Sequence, residues 1–231
     1  KKLAARIAKD KPYRFLYLGD VYPVGSATDY RVNYVTTYGR LRRITEPTFG
    51  NHEWFNRRTG FVPYWRKVKG RAPRLYYSFK LAGWQFLDLN SEVAHGKGSA
   101  QLGWLRKQLA AAPGTCRIAF WHRPRYSAGT VHGDAPDTAP LWNALRGHAR
   151  LVLNGHDHTL QRMRLRSGLT EYVAGAGGAN LYGNRKDSRL AFGRAGLQGA
   201  LRMVLEPGKA TLEFRSSSGK LLDRSHASCH A

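Results

Sequence analysis

Apolar residues in the first two-thirds of the chain fall into short continuous runs, separated by stretches where they recur every three or four positions. The runs read as buried strands and the recurrence as amphipathic helices. On that pattern Lys2–Lys9 is a helix and Phe15–Leu18 a strand ending in Gly19-Asp20. A helix follows over Thr28–Ile44, with Tyr30, Tyr34 and Leu41 among its apolar positions and Asp29 near its start. Pro47-Thr48-Phe49 is a short strand leading into Gly50-Asn51-His52-Glu53, beyond which an aromatic and basic stretch has no regular period. Leu75–Leu81 and Trp84–Asn90 form a hairpin about Ala82-Gly83, and Ser99 caps a helix running to Ala111. Arg117–Trp121 is a buried strand ending at His122, Pro140–Ala149 a helix, and Leu151–Leu153 a strand before the turn Asn154–His158. The last third turns to strands: Gln161–Leu165, Glu171–Ala174, Ala200–Leu205, Ala210–Phe214 and Lys220–Arg224. An α/β front with a β-rich back predicts an α/β fold of two packed mixed β-sheets flanked by helices. With no repeat or low-complexity linker, residues 1–231 read as a single domain.

Composition fits one substantial core: 231 residues, 42% hydrophobic and 12% aromatic, values that exclude a disordered chain. No apolar run approaches the roughly 18–20 residues of a membrane span. The formal charge of +23 attracts anions and opens the possibility of nonspecific polyanion binding. Its basic residues are spread along the chain, however, without the dense stripe of a nucleic-acid reader. The two cysteines, Cys116 and Cys229, are either a disulfide tethering the tail or two buried thiols. The opening Lys-Lys-Leu, without Met or a signal segment, suggests a processed or trimmed start, so the missing leader says little about compartment.

Chemistry concentrates where strands end. Asp20, then Asn51 and His52, then His122, then His156 and His158 each follow a short apolar strand. Ligands of open α/β sheets bind beyond the carboxyl ends of the strands, so neighbouring strands would gather an Asp, an Asn and four His into one cleft. Singly, each has a plainer reading: Gly-Asp as a turn, Asn-His as a helix cap, His122 as a core histidine. Five of the nine histidines lie outside the set, so histidine abundance alone does not generate it. Gly175-Ala176-Gly177-Gly178 lacks the Lys-Ser or Lys-Thr of a phosphate loop and reads instead as close backbone packing.

In this order, Gly19-Asp20, Gly50-Asn51-His52-Glu53, His122 and Gly155-His156-Asp157-His158 resemble motifs two to five of the calcineurin-like metallophosphoesterases. The segments Trp121–Ser127 and Leu153–His158 are similar to the purple-acid-phosphatase-like branch, particularly small bacterial and often secreted members. The resemblance implies a four-layer sandwich and a hydrolase of phosphate esters, foremost monoesters, in which a hydroxide bridging two metal ions attacks phosphorus. It implies that Asp20 bridges the ions, that Asn51, His122 and His156 complete one shell, and that His158 binds the other. His52 would sit by the substrate phosphate as proton donor. The mixed oxygen and nitrogen donors suit Fe, Zn or Mn. Arg123, Arg125 and His132, just after His122, are candidates to orient a phosphate, the arginines equally being ordinary surface charge. Asp157 is either a partner supporting the histidines or a turn residue.

This chain departs from the family pattern twice. The acidic strand end of the family's first motif has no counterpart before Asp20, so an N-terminal strand and a carboxylate are expected to be missing. The family's metal-binding Tyr stands three residues after the bridging Asp, whereas Tyr22 stands two after it. In an extended segment that shift turns the side chain to the other face, leaving Tyr22 a possible ligand only. Phosphodiesterase or nuclease activity is the nearest alternative function, and a non-catalytic polyanion-binding scaffold the more distant one.

Overall fold

The strands nearest the chemistry are buried on both faces, and their alternation shows what each face meets. A computed structural model describes residues 1–20 and 22–229 of the chain. Seven strands form a mixed sheet: β3 (Tyr77–Leu81), β4 (Trp84–Asp88), β5 (Arg117–Phe120), β6 (Leu151–Asn154), β7 (Leu160–Arg164), β8 (Thr170–Ala174) and β9 (Leu190–Arg194), in the order β3-β4-β5-β6-β8-β7-β9. The central strands β4, β5, β6 and β8 run parallel, and antiparallel pairs close both sides. Leu87, Ala119 and Val152 point to one face, where they pack on α4 (Ala100–Ala111) and α5 (Ala139–Leu145) through Leu105, Trp142 and Leu145. The intervening Phe86, Phe120 and Leu153 point to the other, into a core shared with Leu212 and Phe214. Two buried faces explain why these strands read as unbroken apolar runs.

The second layer comes in two pieces. A parallel pair, β1 (Phe15–Tyr17) and β2 (Thr45–Pro47), supplies Leu16 to the shared core. An antiparallel trio, β10 (Gly199–Glu206), β11 (Lys209–Ser216) and β12 (Leu221–Ser228), supplies Leu201, Met203, Leu212 and Phe214. Among the described residues β1 bonds only to β2, and β10 pairs with no strand but β11. Helix α1 (Lys2–Lys9) lies outside this layer, touching the 3-10 helix Tyr38–Ile44 on one side. On the other side it brings Arg6 against Gly219 at the β11–β12 turn. Helices α2 (Asn51–Asn56) and α3 (Phe61–Lys69) cover the outside of β1–β2 through an aromatic cluster of Tyr30, Tyr34, Phe49, Phe61 and Trp65. The helix–sheet–sheet–helix order is thus the expected one.

Several elements differ from the sequence pattern. The single helix expected over Thr28–Ile44 is a π-helix, Asp29–Tyr34, and a separate 3-10 helix, Tyr38–Ile44. At the break the Thr36 and Thr37 hydroxyls donate back to the carbonyls of Val32, Asn33 and Tyr34, competing with the helical ladder. The strand expected at Pro47–Phe49 ends at Pro47, and the helix expected to run to Ala149 stops at Leu145. The stretch without a regular period holds α2 and α3; Pro63 falls in the first turn of α3, where its missing N–H costs nothing. Cys116 and Cys229 are disulfide-bonded with their Cα atoms 5.6 Å apart.

Candidate metal centre

Two strand ends from each layer deliver the chemical residues. Asp20 follows β1 and Asn51 opens α2 just beyond β2, while His122 follows β5 and His156 follows β6. From His122 Nε2 it is 3.0 Å to Asp20 Oδ2, 3.0 Å to Asn51 Oδ1 and 3.0 Å to His156 Nδ1. The other ring nitrogen, Nδ1–H, donates to the Leu18 carbonyl at 2.7 Å, which leaves the Nε2 lone pair turned inward.

Backbone conformation holds this convergence under strain. Asp20 and His156 have φ of +59° and +66°, in the left-handed region that residues other than glycine seldom adopt. Gly50 makes the approach possible, because a Cβ there would collide with the Asp20 backbone nitrogen and carboxylate. Fully buried Glu53 fixes the same corner, with Oε2 accepting from Asp20 N at 2.8 Å and from Gly50 N at 2.9 Å. That acceptor three residues after Gly50 has the spacing of a helix capping box. Asp20 Oδ1 in turn accepts from His52 N at 3.1 Å.

On the opposite wall, buried acceptors hold the loop that follows His122. Glu171 accepts the backbone N–H groups of Arg125 and Tyr126 at 2.8 and 2.9 Å. Asp157 accepts the Ser127 hydroxyl at 2.5 Å and the backbone N–H of Gly133 at 3.1 Å. The loop so held lays the His132 ring on His156, centroids 4.0 Å apart. His158 donates from Nδ1 to the Asn180 carbonyl at 2.6 Å and stacks on Tyr182 at 4.2 Å.

Charge in the cluster is shared among Asp20, His122 and His156. Burial pushes the Asp20 carboxyl up, but the adjacent His122 outweighs it and holds the group well below the usual carboxylate range. Burial alone would lower His122, and the Asp20 charge reverses this, raising it to about 9. Burial, reinforced by the His122 charge, pushes His156 down to about 2. One proton on His122 Nε2 thus faces a carboxylate, an amide oxygen and a neutral imidazole nitrogen, and can satisfy one of them. A cation at their centre satisfies all of them. Donors about 2.1 Å from such an ion and at right angles lie about 3.0 Å apart, the spacing seen. The donor set therefore fits a metal ion, and Asp20, His122 and His156 form a group able to hold one.

The remaining candidates separate. The side chain of His52 is 41% exposed, its Nε2 is 3.9 Å from Asp20 Oδ2, and its Nδ1–H donates to the Pro23 carbonyl. The Tyr22 hydroxyl is 2.6 Å from Thr37 Oγ1 and donates to the Asn33 carbonyl at 3.1 Å, which ties it to the π-helical segment and not to the cluster. Arg123 forms a two-point ion pair with Glu92 at 2.8 and 3.2 Å, and the Arg125 guanidinium lies over the Tyr126 ring, 4.3 Å from its centroid. Both arginines are thus engaged by loop neighbours, whereas His132 stacks directly on His156. Sequence reasoning gave no role to Glu53, Glu171 or Tyr182. Glu53 alone carried a local signal, its spacing from Gly50.

The profile of the calcineurin-like phosphoesterases matches residues 1–160. Purple acid phosphatase 15 of Arabidopsis thaliana is 32% identical over 99 residues, which cover 40% of this chain and 19% of that protein. Among solved structures, the purple acid phosphatase PPD1 from yellow lupin (Lupinus luteus) seeds superposes with a TM-score of 0.82 at 18% identity, over 98% of this chain and 48% of that one. GAP50, described as the anchor in the inner membrane complex of Plasmodium, gives 0.77 at 15% identity, over 100% of this chain and 82% of that one. A dimetal phosphatase from Danio rerio gives 0.63 at 14%, over 98% and 87%. At these identities what the structures share with this chain is the fold. The chain spans under a fifth of the Arabidopsis protein and about half of the lupin one.

Proposed function

This chain belongs to the calcineurin-like phosphoesterase family, and from that premise we propose that it hydrolyses phosphate esters, foremost monoesters, at a metal centre on the convergent strand ends. The observation that carries this reading is the meeting of Asp20, Asn51 and His156 at 3.0 Å from His122 Nε2. These residues would hold one ion, and Asp20 with His158 a second, drawn from Fe, Zn and Mn. Bound metal supplies Lewis acidity that activates water and neutralises charge on the phosphate.

The chain's own groups do the rest. The carbonyls of Leu18 and Asn180 fix the tautomers of His122 and His158, each leaving Nε2 as the donor atom. His52, at the exposed rim beside Asp20, keeps Nδ1–H on the Pro23 carbonyl and presents Nε2 outward. It is placed to hold a proton there and pass it to the leaving alkoxide. His132, exposed and stacked on His156, is a candidate to bind a phosphate oxygen. The Arg123–Glu92 pair steadies the loop that follows His122. An extracytoplasmic location belongs to the same proposal, supported by the Cys116–Cys229 disulfide.

His52→Ala separates the chemistry from metal binding. Turnover of an aryl phosphomonoester is expected to fall about 100-fold or more, with metal per chain, measured by plasma emission, unchanged. His122→Ala is expected to lose both. Equal loss of metal and turnover in His52→Ala would overturn its role, and faster cleavage of a bis-aryl phosphodiester would overturn the monoesterase reading.

A further inference from the structure

Helix α2 turns Glu53 inward onto the Asp20 corner and sets Trp54 against Phe49, ring centroids 5.6 Å apart. At about 100° of rotation per residue, the opposite side of the helix holds Asn51, His52 and Phe55. Phe55 falls between the other two around the circumference, one turn further along. Helical side chains lean back toward the N-terminus, so the Phe55 ring lies over the turn that carries Asn51 and His52. That ring is 86% exposed, the most open of the large hydrophobic side chains among the described residues. Pro23-Val24 runs along the far side of His52: the Pro23 carbonyl accepts His52 Nδ1–H, and the Val24 carbonyl accepts from Asn56 Nδ2 at 2.8 Å. Val24 is itself 49% exposed. His52 thus stands between two uncovered apolar side chains.

On the phosphate-ester reading of the site, on which this inference rests, we propose that Phe55 is a specificity-determining residue. With Val24 it grips the alcohol part of the ester and selects alcohols built on an apolar ring. The proton that His52 passes to the leaving alkoxide fixes where that alcohol stands. Its oxygen lies within hydrogen-bond reach of Nε2, about 2.6–3.2 Å, and its carbons lie beyond, between Val24 and Phe55. A sugar or glycerol moiety there sets its hydroxyls against two apolar surfaces that offer no hydrogen bond. An apolar ring instead takes both side chains out of water and gains an offset or edge contact with Phe55. A flexible chain buries similar area but loses rotor freedom in doing so. A permanent protein cover on this patch would shut His52 off from any leaving group, whereas a substrate covers it only during turnover. Phe55 lies beyond the Gly50–Glu53 motif, so the family resemblance assigns it no role.

The test uses the zinc-loaded full chain and calorimetric titration with benzylphosphonate, hexylphosphonate and methylphosphonate, in which carbon replaces the ester oxygen and hydrolysis is blocked. Benzylphosphonate is expected to bind at least about tenfold more tightly than methylphosphonate, and hexylphosphonate to gain less than the ring does. Phe55→Ala is expected to bring benzylphosphonate to within about twofold of methylphosphonate, and Phe55→Trp to keep the preference. A side chain this exposed can be changed without loss of the fold. In turnover the defect of Phe55→Ala should fall on KM for phenyl phosphate, because the contact is made alike in ground and transition states. Equal binding of benzylphosphonate and methylphosphonate, a larger gain for the hexyl chain, or a preference that survives Phe55→Ala overturns the inference and leaves the phosphate-ester reading standing. Binding of none of the three phosphonates overturns that reading and the inference with it.

Discussion

The candidate metal centre is built from two halves that reach the same point by different means. His122, His156 and His158 stand on strands bonded on both sides or on loops pinned by buried carboxylates, within a sheet of seven strands. Asp20 lies just beyond β1, and Asn51 and His52 open α2 beyond β2, two strands of three residues each that among the described residues pair only with one another. What holds the second half is local, the Glu53 carboxylate across Asp20 and Gly50 and an aromatic cluster behind it. The difference teaches that a ligand can be fixed by a large scaffold or by one buried acceptor, and that the second kind fails at a single position.

The largest expected effect follows from that weakness. Gly50→Ala puts a methyl group against the Asp20 backbone nitrogen and carboxylate. It should abolish metal loading while far-UV circular dichroism stays that of the parent; retained loading would mean that the corner is softer than described. The scaffold half should respond through stability. Asp157→Ala strands the Ser127 hydroxyl and the Gly133 N–H in a buried setting. It should cost about 3 kcal/mol, lowering Tm by roughly 6–12 °C in a chain this size. If both variants lost metal and stability equally, the division into halves would not stand.

The smallest effect concerns pH. Burial raises Glu171 from its ordinary 4.5 to about 8, so the folded state binds its proton more tightly than the unfolded one. Stability contributed by this group is therefore present at low pH, declines as pH rises from about 4.5 to about 8, and is level above that. Glu171→Gln should flatten this slope, read as the urea midpoint at about pH 5 and about pH 8.5. An unchanged slope would place the titration elsewhere.

Most of the scaffold half was legible because β4, β5 and β6 are buried on both faces and β5 and β6 lead straight into His122 and His156. The other half was harder to read. Glu53 was visible as part of a motif, yet its role depends on Asp20, thirty-three residues away, folding under it. Arg123 and Arg125 suggested a phosphate clamp by adjacency to His122, but Glu92 and the Tyr126 ring, invisible as partners in a linear reading, engage them. Tyr22 stands one residue off the family's spacing, and its hydroxyl meets Asn33 and Thr37 at the break in the expected helix, a partner set that only the fold reveals. Helix α3 was hidden by Gly60 and Pro63, which look like breakers and sit at a cap and in a first turn.

The Cys116–Cys229 bond fastens the start of β5 to the end of β12, at the opposite end of β5 from His122. The Trp84 indole, donating to the Glu206 carbonyl at 2.9 Å, fastens the same end from the neighbouring strand. At the other end of β5 the His122 ring, donating to the Leu18 carbonyl at 2.7 Å, fastens the same two layers again. Covalent and hydrogen-bonded ties at opposite ends of one strand thus clamp the layers, and the residues that converge on His122 lie at the hydrogen-bonded end.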